Sequence, residues 1–255
     1  MIKKSLFYVT IICTCLISIA SVSARIDTKS IVGLWVFDSD NDTRDISGKG
    51  HDGNVEGKVK WVNGKIGKAI ELDGTNAVII DHADDMNLQS FTLMAWVNIP
   101  NPPTDWWTIA AKDGWPNRNY GIWLASGTAL AHHSWTSGAA PNNNAINAVT
   151  PVAAKEWYHV AATYDMKESN LYINGKLDAQ GKFTDKPNVT DMQFIIGRTA
   201  NGSYKYSGAT DEVGLFNQAL SEGDINLIMT NGLRQATSVN PQTKLSTTWA
   251  DIKIH

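Results

Sequence analysis

The stretch "WYHVAATYDMKESNLYINGKL", residues 157–177, decides the reading of the fold. Two runs rich in aromatic and β-branched side chains, 157–165 and 170–177, read as paired strands. Asn174-Gly175 is the strongest short hairpin signal in the chain, because both residues accept the positive φ of a tight turn. The same pattern recurs in both directions. "SIVGLWVF" (30–37), "FTLMAWVNI" (91–99), "WTIAAKDG" (107–114), "YGIWLAS" (120–126), "MQFIIGR" (192–198) and "TDEVGLF" (210–216) all read as strands. "KAIELDG" (68–74) and "AVIIDH" (77–82) flank Gly74-Thr75-Asn76 and are expected to form a hairpin. In 91–99, alternation places Phe91, Leu93, Ala95 and Val97 on one face. Short strands at regular spacing predict an antiparallel sandwich or barrel. One helix is expected, with Ser221 as its cap and Asp224 completing a shortened capping box. Ile225, Ile228 and Met229 give it helical spacing, and Gly232 stops it.

The opening residues 1–24 read as a cleaved export signal. Lys3 and Lys4 form a basic start, residues 6–19 are apolar but too short to span a bilayer, and Val22 and Ala24 fit the cleavage pattern. A secreted, periplasmic or cell-surface protein is therefore expected. Both cysteines, Cys13 and Cys15, fall inside this segment, so the mature chain has no disulfide. The remainder divides into one domain, 25–233, and a polar tail, 234–255, whose Trp249 and Ile252 are expected to return and pair. The net charge is −3, and losing Lys3 and Lys4 makes it −5. No basic patch points to nucleic acid, and no second apolar run points to a membrane span.

Taken in order, "GLWVFD", "DISGKGHDG", "KIGKAIELDG", "FTLMAWVNI", "EWYHVAATYD", "LYINGKL" and "SGATDEVGLFNQALSEGDI" resemble a LamG-like domain. The branch is the pentraxin-like laminin G 3 group of the concanavalin A-like lectin/glucanase superfamily, and the resemblance spans roughly residues 30–233. It implies an all-β jelly-roll sandwich of two curved antiparallel sheets. It also implies a binding module, often for carbohydrate, and many relatives resemble calcium-binding domains.

Asp211 poses the sharpest local problem. As part of a strand it shares a face with Val213 and Leu215, while Glu212 shares the other with Phe216. A carboxylate at a core edge needs a partner, because an unpaired buried charge costs several kcal/mol. The resemblance implies that the first and last segments lie together. Asp38 and Asp45, from the acidic loop 38–53, could then join Asp211 around a structural calcium, which favours many oxygen ligands. Equally, Asp45 could make only an Asx turn before Ser47-Gly48, with Asp211 accepting N–H bonds from the same loop.

Catalysis is not expected. Glycosidases need two carboxylates flanking the bond. The Glu-x-Asp-x-x-Glu strand of related glucanases is absent, and no two of Glu56, Glu71, Glu156, Glu168, Glu212 and Glu222 share a strand at suitable spacing. No Gly-x-Ser-x-Gly elbow is present. His132 and His133 are adjacent, so on a strand they face opposite ways. Trp35, Trp96, Trp157, Tyr158, Tyr164 and Tyr172 lie in strand motifs and read as packing. Trp106, Trp107, Trp115 and Trp135 read as loop residues whose rings could stack on sugars. Asp105, Asp113, Asn117, Arg118 and His133 are close in sequence to bind hydroxyls, and Glu212 is a secondary candidate on the concave sheet. The expected partner is a carbohydrate or, alternatively, a surface protein.

Overall fold

A computed structural model describes residues 26–140 and 142–238. Residues 1–24, expected to be an export signal, both cysteines, Trp249 and Ile252 lie outside the described residues. The early strands are β1 (Ile31–Trp35), β2 (Gly53–Glu56), β3 (Lys60–Asn63), β4 (Lys68–Asp73), β5 (Ala77–Ile80) and β6 (Phe91–Asn98). Then come β7 (Trp107–Gly114), β8 (Asn117–Leu124), β9 (Leu130–Ser137), β10 (Asn142–Pro151) and β11 (Tyr158–Tyr164). The last are β12 (Glu168–Ile173), β13 (Lys176–Lys182), β14 (Phe194–Ile196) and β15 (Ser207–Phe216), followed by helices α1 (Glu222–Asn231) and α2 (Leu233–Thr237).

The strands form two antiparallel sheets. One runs β13-β12-β11-β6-β15-β4-β3, with β1 also pairing with β15, and the other runs β10-β9-β8-β7-β14-β5-β2. This is a jelly-roll-like sandwich. The Asn174-Gly175 turn joins β12 to β13, so the run 170–177 spans two strands rather than one. The turn at 74–76 does not close a hairpin. It carries the chain from one sheet to the other, since β4 pairs with β3 and β15 while β5 pairs with β2 and β14. Ile70 and Leu72 thus meet Val78 and Ile80 across the sandwich core. Burial across the layers decided against the local pairing, because each apolar side chain removed from water contributes ~1.5–3 kcal/mol.

Phe91, Leu93, Ala95 and Val97 all enter the core between the sheets, as alternation requires. Met94 and Trp96 on the opposite face are buried too. Around Met94 the outer face is covered by Ile26, Ile31, Leu34, Ile225 and Ile228, from the N-terminal segment and α1. The capping box at Ser221 and Asp224 starts α1, and Gly232 ends it with φ 78. Residues 234–237 of the expected tail extend the chain into α2.

β15 departs from simple alternation. Asp211 lies opposite Trp96, but Gly214 lies opposite Met94, so one extra residue sits in β15. Glu212 takes φ 53 inside this β-bulge. Directly opposed residues share a face. Val213 and Leu215 therefore line the inter-sheet core, while Asp211 lies on the outer, Trp96 side. The expectation that Asp211 shares their face is corrected: the bulge shifts the phase by one residue.

Asp211 is nonetheless fully buried. Its Oδ2 accepts hydrogen bonds from the backbone N–H groups of Lys65 (2.9 Å) and Ile66 (3.0 Å). The donors come from the turn at 64–67, not from loop 38–53. Gly64 is required there, since a Cβ would press on Asp211 Oδ2 and the Lys68 carbonyl. Burial pushes the Asp211 carboxyl up to about 8, outweighing the two N–H donors that pull it down. At neutral pH the charge is removed chiefly by a retained proton. Burial likewise raises Glu212 to about 7, although its Oε2 accepts the Leu233 N–H at the start of α2.

These two protons give a pH signature. The unfolded chain loses them near 3.8 and 4.5, whereas the folded chain holds them until about 8 and about 7. Their stabilisation is complete below the unfolded values and drains as pH rises towards 8. Burial pushes His133 and His159 down to about 3, and they act in the opposite sense only below their ordinary 6.5. Urea unfolding between pH 6.5 and 8.5 should show Asp211→Asn gaining stability relative to wild type as pH rises. A difference between the two proteins that stays constant with pH would refute the assignment.

Candidate functional site

The outer face of the seven-stranded sheet carries an open groove of about 480 Å³. Its position follows from alternation in β8. Tyr120, Ile122 and Leu124 point into the core, so Gly121 and Trp123 point outwards. Gly121 is essential to this geometry, because any Cβ there would collide with the Trp123 ring and Ala111. His132, opposite Trp123 on β9, faces the same way. Trp106 packs edge-on against His132 at 4.9 Å between ring centroids. Trp115, 63% exposed at the β7–β8 turn, and Tyr204 complete the aromatic lining.

Polar groups sit between the rings. Arg118 and Asp113 form an ion pair at 3.2 Å, with side chains 12% and 5% exposed. The guanidinium lies 4.5 Å from the Trp123 ring centroid and 5.8 Å from that of Trp115. It also donates to Ser134 Oγ (2.7 Å) and Asn143 Oδ1 (3.3 Å). Its position is therefore over-determined. Asp113 Oδ1, Arg118 Nε and Trp123 Nε1 are buried and find no protein partner. His132 Nδ1 meets Asn147 Oδ1 at 2.8 Å, and burial lowers the imidazole below its ordinary 6.5.

Four of the residues singled out from the sequence, Trp106, Trp115, Asp113 and Arg118, come together here. Trp107 lines the adjoining cleft and packs on the core, edge-on to Tyr206 at 5.9 Å. Trp135 and His133 are corrected. "HHSWTSG" belongs to strand β9 rather than to a loop, and these two residues, two apart, both face inwards. Trp135 packs on Tyr164 at 4.3 Å, and His133 lies edge-on to Phe91 at 5.5 Å. Glu212 is corrected as well, since it sits in the other sheet and binds α2. Sequence reading missed Trp123, His132, Asn143, Asn201 and Tyr204. The signal for Trp123 was present: Gly121 lies two residues earlier on the same strand face.

The three acids expected around calcium have separate partners in the structure. Asp45 Oδ1 accepts the N–H groups of Leu34 and Ser47, each at 2.9 Å. Its Oδ2 accepts the Ser47 hydroxyl (2.7 Å) and His51 N–H (3.2 Å). Four donors aimed at one carboxylate leave it little capacity for a cation. Asp211 Oδ2 accepts two N–H donors while its Oδ1 is buried without a partner, and Asp38 faces Arg234 at 3.7 Å. Among the described residues, no three His, Cys, Asp or Glu side chains gather closely enough to hold a metal ion.

A laminin G 3 family model, described as the concanavalin A-like lectin/glucanases superfamily, matches residues 72–226. No curated protein matches the chain. Among solved structures, the binding domain of Paraclostridial Mosquitocidal Protein 1 superposes with a TM-score of 0.64 at 17% identity, over 79% of this chain and 52% of that one. Domain 4 of AbnA, a GH43 extracellular arabinanase from Geobacillus stearothermophilus, in complex with arabinotriose, gives 0.59 at 22% identity, over 77% and 97%. A structure of botulinum neurotoxin type C, whose cell entry depends on interaction with two ganglioside molecules, gives 0.62 at 16% identity, over 80% and 51%. The chain spans about half the length of the two toxin chains. At these identities the likeness is one of fold.

The acidic loop yields a direct check. Asp45→Ala orphans the buried Leu34 N–H and should cost roughly 1–3 kcal/mol in urea unfolding. A loss below a few tenths of a kcal/mol would mean that the loop is held by other contacts.

Proposed function

The chain belongs to the laminin G 3 family of the concanavalin A-like lectin/glucanase superfamily, and on that premise we propose that it is an exported, non-catalytic carbohydrate-binding module. One observation carries the reading: Trp106, Trp115, Trp123 and Tyr204 surround an immobilised Asp113–Arg118 pair on an open sheet face. Sugars combine apolar C–H faces with dense hydroxyls, and such a groove offers both complements. Because Arg118 is pinned by Asp113, Ser134 and Asn143, little conformational entropy is lost when a hydroxyl is bound.

Other observations support the same reading. Among the described residues, Asp113 is the one carboxylate lining this groove, and it is engaged by Arg118. Hydrolysis of a glycosidic bond uses two carboxyl groups on either side of it. Relatives by fold are described with arabinotriose and with gangliosides. Export rests on the basic, apolar and small-residue pattern of residues 1–24. Calcium is not needed for this reading: Asp45 is filled by N–H and hydroxyl donors, and no three candidate ligands gather among the described residues.

A glycan array probed with the full chain tests the proposal. Trp115→Ala and Trp106→Ala should each weaken retention by ~1–3 kcal/mol, by analogy with stacking of bases on aromatic rings. Their circular dichroism should match wild type. Trp135→Ala should instead destabilise the fold by about 3–5 kcal/mol, as core aromatics do. Affinity should change little as pH rises above neutrality, because burial disfavours the charged form of His132. Chelator should change neither affinity nor melting temperature. An array silent for every glycan would overturn the reading.

A further inference from the structure

We propose that the groove continues past Trp106 into a second lobe, so that the module grips an uncharged sugar chain of at least two residues along its length rather than one terminal sugar. The inference rests on the carbohydrate reading above and adds the class of glycan.

A second open cleft, of about 410 Å³, adjoins the first. Trp106, Asn201 and Tyr204 line both. The two lobes therefore meet at a pair of aromatic rings, a suitable platform for consecutive sugar faces. Tyr204 is held there at a cost, since its φ of 53 is one that a bulky residue rarely adopts. Its carbonyl accepts the Thr108 N–H at 2.7 Å. The loop before it is tied by Thr199 Oγ1 to Asn201 Oδ1 (2.7 Å), and Asn201 Oδ1 also accepts the Ser203 N–H (3.1 Å). A surface loop fixed in a strained shape, presenting a tyrosine that is 40% exposed, is the arrangement expected of a binding loop.

Charge points to the class of chain. The first lobe balances Asp113 against Arg118 in a direct ion pair. Among the described residues, the second is lined by one acid, Asp105, and one base, Lys205. Burial disfavours the charged form of His132. An anionic glycan would meet a carboxylate in each lobe and find its strongest cation, Arg118, already paired. Neutral hydroxyls meet no such penalty.

Titration calorimetry of the full chain against arabino-, cello-, manno- and galacto-oligosaccharides of one to six units, with oligogalacturonides as the acidic series, tests this. One neutral series should bind with affinity rising about tenfold or more from one unit to the longest chain, as a second stacked ring would give. Tyr204→Ala should erase most of that rise, and Tyr204→Phe should keep it. Lys205→Glu should weaken long chains more than short ones. Binding of a neutral sugar with no gain beyond one unit would overturn the second lobe while leaving the carbohydrate reading intact. Tighter binding of the acidic series would overturn the uncharged class. Failure of every series, together with a silent array, would overturn the carbohydrate reading itself.

Discussion

The ten residues of β15 tie the eight-stranded sheet together. Their first half pairs with β4, their second half with β1, and β6 runs along the other side. A strand with three partners cannot keep one phase unless all three agree. The extra residue at Asp211–Gly214 resolves this by changing phase mid-strand. Val213 and Leu215 then reach the core, Asp211 reaches the 64–67 turn and Glu212 reaches α2. The costs are a positive φ at Glu212 and two buried carboxyl groups. Desolvation exceeds what the N–H donors return, so both groups hold their protons to higher pH than an exposed carboxyl would. One bulge thereby couples the first strand, a distant turn and the final helix.

The two outer faces of the sandwich have different fates. Much of the eight-stranded sheet's outer face is closed by the N-terminal segment and α1, which explains why β6 is buried on both sides. Its counterpart on the seven-stranded sheet keeps an open groove lined by the buried Trp123 and the exposed Trp115 and Tyr204. Trp115 and Tyr204 stay exposed there, 63% and 40%, and exposed aromatic rings grouped in one groove mark a contact surface. The ring of Trp123 lies flat because Gly121 leaves room beneath it. Arg118 then stacks on Trp123, and Asp113 fixes Arg118. This order of support anchors one wall of the groove on the sheet, while Trp106 and Tyr204 come from loops.

Much was legible in the sequence because it rests on local periodicity and turn chemistry. The strand series, the inward face of residues 91–97, the Ser221–Asp224 cap and the Gly232 stop all depend on neighbours within a few residues. Trp106, Trp115, Asp113 and Arg118 were also within reach, since they cluster around one hairpin. Tertiary structure decided what local order leaves equal. It sent the 74–76 turn across the sandwich, because core burial outweighs hairpin pairing. It turned Trp135 and His133 inwards by making "HHSWTSG" a strand. It brought Tyr204 and Asn201 to Trp106 from nearly a hundred residues away. It also moved Asp211 to the outer face, because an inserted residue shows in a strand only against its partners' register.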